Sequence, residues 1–236
     1  MANELAKRAA AAAAVRFVEP GMVVGLGTGS TSLIMLELLA ERVREGLEIE
    51  GVATSEGVAE KARSLGVGLV SSYPNFQRVD LTLDGADEVD PQGRLIKGGG
   101  GALLQEKLVA TASNRLVIMV DASKRVQQLG EKWAVPVEVV PFGWARLQKR
   151  IEDLGARVER REGIQGPFLT DQGNYIFDCC FGLISDPETL HAQLIQLTGV
   201  VETGLFLGLT NTLVVGHDDG SVQVQHFYPA PNYLRA

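Results

Sequence analysis

The sequence lacks the features that mark membrane, secreted and nucleic-acid-binding proteins. No apolar run reaches about 18 residues, the length that a membrane-spanning helix needs, so no such helix is expected. Charged residues flank the alanine run at 9–14, which therefore does not predict a signal peptide. The net charge is −7 and no block of basic residues occurs, which argues against binding to nucleic acid or to an anionic membrane surface.

Cysteine and histidine are also scarce. The two cysteines, Cys179 and Cys180, are adjacent, and in a strand they would point to opposite faces, which disfavours a mutual disulfide. We expect both to be small buried side chains and the compartment to be reducing and cytosolic. The three histidines, at 191, 217 and 226, have neither the spacing of metal ligands nor a triad-like arrangement, so no metal site is predicted.

A Gly-rich turn, GLGTGSTS at 25–32, lies between a short apolar strand and a helix rich in leucine. A strand, a turn of this kind and a helix form an anion-binding unit. A dinucleotide-binding fingerprint would need glycine at Ser30, and a P-loop would need a lysine that the turn lacks, so no nucleotide cofactor is predicted. The turn is therefore predicted to bind a phosphate group through backbone amides and hydroxyls. The alternative is a tight turn without a ligand.

The richest stretch is DGADEVDPQGRLIKGGGGALLQEK at 84–107. Asp84 and Asp87 follow an apolar strand. Lys97 then precedes four consecutive glycines, and Glu106 lies in the second turn of a predicted helix. Because each glycine loses backbone entropy on ordering, such a run is expected where the backbone approaches a ligand and aims its N–H groups at negative charge. Carboxylates, a lysine and backbone donors together can move a proton next to a carbonyl group.

Strands alternate with helices in the first half of the chain, and several strands are apolar on both faces. This pattern predicts an α/β fold with a buried, Rossmann-like parallel sheet. Ligands bind beyond the carboxyl ends of such strands, and the segments 25–31, 84–87 and 121–124 all follow predicted strand ends. The predicted strands of this part cover 22–26, 47–54, 67–71, 79–83 and 116–120.

The pattern changes near Trp133 to the order βαββαβ, which is typical of a ferredoxin-like α+β module. We therefore predict a smaller domain at 133–206, inserted into a catalytic α/β domain made of 1–132 and 207–236. A hairpin of 212–216 and 222–227 is expected to rejoin the main sheet, and the tail at 229–236 is expected to be irregular. The predicted strands of the smaller domain cover 135–140, 156–160, 175–180 and 200–206.

Four motifs in combination, GLGTGSTS (25–32), DGADEVD (84–90), KGGGGALLQEK (97–107) and DASK (121–124), resemble ribose-5-phosphate isomerase of the A type. The resemblance extends over nearly the whole chain in order and spacing. It implies a reversible interconversion of D-ribose 5-phosphate and D-ribulose 5-phosphate through an enediolate, without a metal. It further implies a cytosolic homodimer or homotetramer that serves the pentose phosphate pathway and, in photosynthetic organisms, the reductive pentose cycle.

The resemblance also implies roles for individual residues, with Glu106 as the general base. The residues that match substrate contacts of the family are Lys7, Thr28, Gly29, Ser30, Thr31, Asp84, Gly85, Ala86, Asp87, Lys97, Gly98, Gly99, Gly100 and Lys124.

The chemistry of isomerisation agrees with these roles. One base must take a proton from C2 and return it to C1, and a carboxylate can do so when partial burial raises its pKa. Glu106 is the candidate, and an exposed helix glutamate is the alternative. Lys97 and the amides of the glycine run could donate hydrogen bonds to the enediolate.

Ring opening and substrate binding need further groups. We assign Asp84 to proton transfer at the ring oxygen and Asp87 to the sugar hydroxyls, with turn capping as the alternative for both. Ser30, Thr31 and Lys124 would hold the phosphate, and a solvated surface lysine is the alternative for Lys124.

Three other functions are kept as alternatives. A sugar-phosphate sensor of the same fold would carry a helix-turn-helix, for which no room is expected before the first Gly-rich turn. A transferase in which a glutamate attacks an acyl-coenzyme A would need a nucleotide pocket, and no basic segment indicates one. A sugar-phosphate deaminase is the closer enzymatic alternative and would be distinguished by release of ammonia.

Overall fold

The structure, a computed structural model, describes residues 2–228. Over this range the chain forms six α-helices, fifteen β-strands and a short 3₁₀ turn at Ala122–Lys124. The helices are α1 (Ala2–Val15), α2 (Ser30–Arg44), α3 (Glu56–Ser64), α4 (Leu103–Thr111), α5 (Trp144–Glu152) and α6 (Pro187–Ile195). The strands are β1 (Val23–Leu26), β2 (Glu50–Ala53), β3 (Val79–Asp84), β4 (Glu88–Val89), β5 (Leu95–Ile96), β6 (Ser113–Asp121), β7 (Val135–Val139), β8 (Arg157–Arg160), β9 (Glu162–Gly163), β10 (Gly166–Pro167), β11 (Tyr175–Cys180), β12 (Val200–Thr203), β13 (Leu205–Phe206), β14 (Thr212–Gly216) and β15 (Val222–His226).

The chain folds as two compact units, and the second is inserted into the first. Within the described residues, the first unit contains the chain up to Ala86, then Gln105–Lys124, and then the chain from Gly208 onward. The second unit contains Asp87–Leu104 and Arg125–Leu207. The predicted smaller domain was 133–206. The observed smaller unit also contains the segments 87–104 and 125–132, which were predicted to belong to the main domain. The predicted irregular tail at 229–236 lies outside the described residues.

The first unit is built on a six-stranded sheet in the order β15-β14-β6-β3-β1-β2. Neighbouring strands from β2 to β14 run parallel, and β15 pairs antiparallel with β14. The strands β1, β3 and β14 are almost wholly buried, as is typical of inner strands of a parallel sheet. The predicted parallel sheet and the returning hairpin are therefore confirmed. The strand order reverses at β1 and β3, and ligands bind at such a point in open α/β sheets.

Helix α1 packs closely on the first sheet because the residues in contact, alanines of the helix and a glycine of β14, are small. Alanine favours the helix, and Ala10 and Ala14 are fully buried in the apolar core with Leu36 of α2. A Cβ atom at Gly216 of β14 would lie 1.9 Å from the carbonyl oxygen of Ala6. The alanine run therefore serves as a packing face.

The second unit contains a four-stranded antiparallel sheet in the order β12-β7-β11-β8. With α5 and α6 these strands give the βαββαβ order, so the predicted ferredoxin-like module is confirmed. Asp186 caps α6 by accepting a hydrogen bond from the N–H of Thr189 at 3.0 Å, and Pro187 takes the first helical position. Phe177 of β11 and Leu194 of α6 are fully buried in the apolar core of this unit.

Two predicted strands are wrong. The segment 67–71 forms only an isolated bridge between Leu69 and Gly51, because its recorded backbone hydrogen bonds to β2 are confined to Gly51. The segment 200–206 is divided at Gly204, so that β12 joins β7 and β13 joins β5. A Cβ atom at Gly204 would lie 2.3 Å from the carbonyl oxygen of Lys97, which explains why a glycine interrupts the strand. The small sheet β13-β5-β4 was not predicted, since each of its strands has two residues.

The described part of the chain contains no helix long and apolar enough to cross a membrane. The two cysteines are both free, and they lie on opposite faces of β11 as predicted. Cys179 is buried but Cys180 is exposed, so the prediction that both are buried is wrong for Cys180. Burial in an apolar environment raises the pKa of the Cys179 thiol far above its usual range.

This difference predicts how the thiols react. Because the thiolate is the nucleophile, an aromatic disulfide reagent at pH 8 should modify Cys180 quickly in the folded protein, while Cys179 should react only after unfolding. The measurement is the number of aromatic thiols that the reagent releases per protein chain, before and after addition of denaturant. In Cys180→Ser the fast phase should vanish, whereas Cys179→Ser should keep it. A fast phase of two thiols in the folded wild type would contradict the assignment.

Candidate active site

In the first unit, the turn after β1 contacts the end of β3. The N–H of Gly27 donates to the carbonyl oxygen of Leu83 at 3.0 Å. A Cβ atom at Gly27 would lie 2.1 Å from Oδ1 of Asp84, so only glycine allows this approach. The sequence feature that predicted an anion-binding turn is therefore placed beside the first predicted carboxylate.

The turn leads directly into the N-terminus of α2. Gly29 has a φ of 115°, a conformation that favours glycine, and its residue type provides no side-chain cap. The first N–H groups of any helix lack partners within the helix, and the dipole there favours anions. Thr28 Oγ1 lies 2.8 Å from Thr54 Oγ1 and donates to Ser55 Oγ at 3.0 Å, which fixes the turn from the end of β2.

Two further side chains reach this helix terminus. The Nζ of Lys7 in α1 donates to Ser30 Oγ at 3.0 Å, which places a positive charge at the start of α2. Ser32 Oγ donates to Asp84 Oδ1 at 3.3 Å. The sequence around Lys7 is plain helix, so its assignment as a substrate contact rested on the family resemblance alone. Its position beside Ser30 is consistent with that assignment. Thr31 lies in the same first turn of α2.

Asp84 and Glu106 are buried carboxyl groups. Asp84 is 1% exposed, and its Oδ1 also accepts a hydrogen bond from the N–H of Gly85 at 2.7 Å. The turn-capping alternative is therefore realised in part, but capping alone does not require burial. Glu106, the fourth residue of α4, is 4% exposed, so the alternative of an exposed helix glutamate is wrong.

Lys124 is carried by the 3₁₀ turn that follows β6. Asp121 is 3% exposed, and its Oδ1 accepts hydrogen bonds from both the N–H and the hydroxyl of Ser123. These bonds close the turn and hold Lys124, which is half-buried, at the carboxyl end of the strand. A fully solvated lysine is therefore not what the structure shows.

In the second unit, Asp87 and the glycine loop, defined here as Gly98–Gly101, contact each other. The N–H of Gly99 donates to Asp87 Oδ2 at 2.8 Å, and a Cβ atom at Gly99 would lie 2.7 Å from Oδ1. The loop turns at Gly98 and Gly101, whose φ values are 97° and 82°, and the N–H of Gly101 donates to the carbonyl oxygen of Gly98. Gly98 and Gly101 are thus needed for their conformation, and Gly99 is needed for the close approach to Asp87.

Lys97 is buried in the second unit. The residue is 2% exposed. Its Nζ lies 5.4 Å from the centroid of the Phe206 ring, within range of a cation–π interaction. Its N–H donates to the carbonyl oxygen of Gly204 at 2.9 Å, which anchors the start of the glycine loop to the small sheet.

Sequence reasoning missed three residues that hold the glycine loop. The guanidinium of Arg161 donates to the carbonyl oxygens of Gly98 and Gly99, and it pairs with Asp178. Phe168 lies against Gly101, where a Cβ atom would be 2.4 Å from the ring. Arg161 follows Gly98 by 63 residues, and no motif or spacing near it distinguishes it from a surface arginine.

Each unit therefore carries groups that are suited to reactions of an anionic carbonyl compound. The first unit supplies a helix N-terminus with Lys7, and the buried carboxyl groups of Asp84 and Glu106. The second unit supplies the carboxyl group of Asp87, the buried Lys97 and backbone donors. Among residues 2–228, no group of three or more histidine, cysteine, aspartate or glutamate side chains is arranged to hold a metal ion.

Comparison with known proteins identifies the family. Residues 50–220 match the family described as ribose 5-phosphate isomerase A (phosphoriboisomerase A). A ribose-5-phosphate isomerase A of Cereibacter sphaeroides is 50% identical over 230 residues, with coverage of 94% of this chain and 91% of the relative. That of Gloeobacter violaceus is 50% identical over 222 residues, with coverage of 94% and 96%.

Solved structures agree with this match. Ribose 5-phosphate isomerase A of Methanocaldococcus jannaschii superposes with a TM-score of 0.87 at 37% identity, covering 94% of this chain and 98% of the other. A D-ribose-5-phosphate isomerase in complex with phospho-erythronic acid superposes with a TM-score of 0.90 at 36% identity, with the same coverage. The fold expected from the four motifs is confirmed, and the chain belongs to the ribose-5-phosphate isomerase A family of aldose–ketose isomerases.

Proposed function

We propose that this isomerase interconverts D-ribose 5-phosphate and D-ribulose 5-phosphate through an enediolate, with Glu106 as the base. The carboxylate removes the C2 proton of the open-chain aldose, and the electron pair moves into the C1 carbonyl group. The same carboxyl group returns the proton to C1. The O2 hydroxyl gives up its proton and becomes the ketone oxygen, and the net transfer of that proton to O1 completes the isomerisation. The observation that carries the proposal is that Glu106, in the helix directly after the glycine run, is a buried carboxyl group at 4% exposure.

Burial supports this role together with position in the chain. A carboxyl group is costly to remove from water, and Glu106 is buried in α4, the helix that directly follows the segment with Lys97 and the four glycines. Asp84, which is buried at the carboxyl end of β3, is proposed to move the proton that opens the sugar ring.

The phosphate is proposed to bind at the N-terminus of α2. Its oxygens would accept hydrogen bonds from the N–H groups and hydroxyls of Ser30 and Thr31, with Thr28 and Gly29 shaping the turn. Lys7 and Lys124 would supply positive charge. The hydrogen bond from Lys7 to Ser30 supports this placement, because it brings the ammonium group to the helix terminus.

Donors to the reacting oxygens are proposed to be Lys97 and the N–H groups of Gly98 and Gly100. The N–H of Gly99 holds Asp87, which is proposed to bind the sugar hydroxyls. A related isomerase is described in complex with phospho-erythronic acid, a molecule with a phosphate at one end and a carboxylate at the other. Such a ligand resembles the enediolate in carrying negative charge at the reacting end, and this agrees with a donor-rich loop.

The setting of the enzyme is proposed from the same resemblance. We place it in the cytoplasm as a homodimer or homotetramer that acts in the pentose phosphate pathway, and possible use in the reductive pentose cycle depends on the organism. We propose that catalysis needs no metal. The sensor, transferase and deaminase alternatives have no comparable support, since the relatives that cover most of the chain carry the name of the isomerase.

Glu106→Gln should abolish most of the turnover while leaving substrate binding intact. The amide keeps the size of the side chain but accepts no proton at neutral pH, and removal of a general base lowers rates by about 10²–10⁴-fold. The loss should be in kcat with KM almost unchanged, which steady-state assays with ribose 5-phosphate would measure. Glu60→Gln, on the exposed face of α3, is the matched control and should behave as wild type. If Glu106→Gln keeps more than about a tenth of the wild-type kcat, the base lies elsewhere and Asp84 becomes the candidate.

Lys124→Ala should weaken binding of the phosphate group. A charge-assisted hydrogen bond contributes about 1.5–3 kcal/mol, so KM for ribose 5-phosphate should rise by about 10–150-fold. Unphosphorylated ribose, tested at high concentration, should show the same low kcat/KM with both proteins, because it has no phosphate to lose. Lys61→Ala removes a partly exposed lysine of α3 that pairs with Glu37, and it should leave KM unchanged. Equal losses for the two sugars would show that Lys124 does not contact the phosphate.

A further inference from the structure

Within the second unit, one arginine binds the glycine loop. Arg161 follows β8, and its side chain is 18% exposed. Its Nη1 donates to the carbonyl oxygen of Gly98 at 2.9 Å and to that of Gly99 at 3.2 Å. The loop has no side chains, and within it the N–H of Gly101 donates to the carbonyl oxygen of Gly98. The two bonds from Arg161 add an external restraint on the Gly98 and Gly99 peptide groups.

The guanidinium itself is held in place from its other edge. Its Nε donates to Asp178 Oδ2 at 2.9 Å and its Nη2 to Asp178 Oδ1 at 2.5 Å, a bidentate pair. Asp178 lies in β11, which has neighbours on both sides in the four-stranded sheet. The ring of Phe168 lies 5.8 Å from the guanidinium carbon and also contacts Gly101. The planar group therefore has little freedom to turn away from the loop.

Holding the carbonyl groups also directs the N–H groups. In a trans peptide the C=O and the following N–H point in opposite directions. With the Gly98 carbonyl facing Arg161, the N–H of Gly99 faces the other way, where it meets Asp87 at 2.8 Å. With the Gly99 carbonyl facing Arg161, the N–H of Gly100 also points away from the arginine. Across residues 2–228, no acceptor is recorded for this N–H.

We propose that Arg161 is a positioning residue for the isomerisation: it holds the Gly98 and Gly99 peptide groups so that the N–H of Gly99 stays on Asp87 and the N–H of Gly100 is preorganised to donate to the negative charge that develops on the sugar oxygens. The inference rests on the proposed function of the glycine loop. Arginine suits this task because its fork binds a carboxylate on one edge and carbonyl oxygens on the other, which a lysine ammonium does not do. Preorganised donors act mainly on the transition state.

The test compares Arg161→Met with Arg160→Met in the full chain. Arg160 is the adjacent residue; it pairs with Glu162 and lies over the Trp144 ring, and no contact with the glycine loop is recorded for it within 2–228. Loss of one oxyanion donor lowers kcat by about 10²–10³-fold, and misorientation should cost less, so Arg161→Met should lower kcat by about 10–100-fold. KM should change by less than about 3-fold, because the ground state carries less charge on these oxygens. Arg160→Met should keep the wild-type kcat.

Two further variants separate positioning from stability. Asp178→Asn removes the charge that orients the guanidinium, so it should lower kcat, but by a smaller factor than Arg161→Met does. The double variant with Arg161→Met should be no slower than Arg161→Met alone, since the two residues act as one unit. Arg161→Lys should give an intermediate kcat. Thermal unfolding of each variant identifies the temperature range in which all are folded, and rates are compared there.

The outcomes decide the inference. A folded Arg161→Met with wild-type kcat overturns it, as does an equal loss in Arg160→Met or a change confined to KM. If Arg161→Met does not fold, Asp178→Asn and Arg161→Lys decide, and wild-type kcat in both overturns it. Failure of the proposed function has a different signature, since the wild type would then not isomerise ribose 5-phosphate, or Glu106→Gln would remain active.

Discussion

The architecture of the first unit depends on the close approach of the chain at the carboxyl ends of β1 and β3. The hydrogen bond from Gly27 to Leu83 requires a residue without a side chain, because a Cβ atom there would overlap Asp84. This contact lies where the strand order reverses, the position at which open α/β sheets bind ligands. Helix α2 begins three residues later, and its Ser32 reaches Asp84. One steric constraint thus sets the geometry of the anion-binding turn and of the first carboxylate together.

The second unit solves a related problem by different means. Its glycine loop provides donors but no side chains, so its conformation must come from neighbours: Asp87 accepts from one N–H, and Arg161 donates to two carbonyl groups. The loop is therefore ordered by charged groups rather than by apolar packing. Charge-assisted hydrogen bonds of this kind are stronger and more directional than neutral ones, which suits a site that must stay in place during turnover.

Burial of a charged group does not by itself identify a catalytic residue in this protein. Glu138 of β7 is fully buried, and burial raises its pKa, while hydrogen bonds from Asn174 and Thr170 act in the opposite direction. Both hydrogen bonds reach its Oε1 from the turn that precedes β11. Asp84, by contrast, is buried where a parallel strand ends. Position in the fold separates the two kinds of buried carboxylate.

Much of the fold followed from the sequence because its signals are local. Apolar runs such as 79–83 and 116–120 are buried strands, and Asp186 with Pro187 marks the start of α6. The failures involve partners that are distant in the chain. Nothing within 200–206 shows that Gly204 must leave room for Lys97, and two-residue strands such as β4 carry no periodicity. The motifs indicated Asp84 and Asp87, but Arg161 acts through backbone carbonyl groups that leave no pattern in the sequence.

The central claim is that a carboxylate carries the proton between C2 and C1 without help from a metal. The most direct measurement is isomerisation of ribose 5-phosphate in D₂O by chelator-treated wild-type enzyme, followed by NMR. The account predicts full turnover with deuterium at C1 of the ribulose 5-phosphate, because a proton held on a carboxyl group exchanges with solvent during part of the turnovers. Turnover without any deuterium in the product, or turnover that is lost on chelation and restored by a divalent cation, would contradict it.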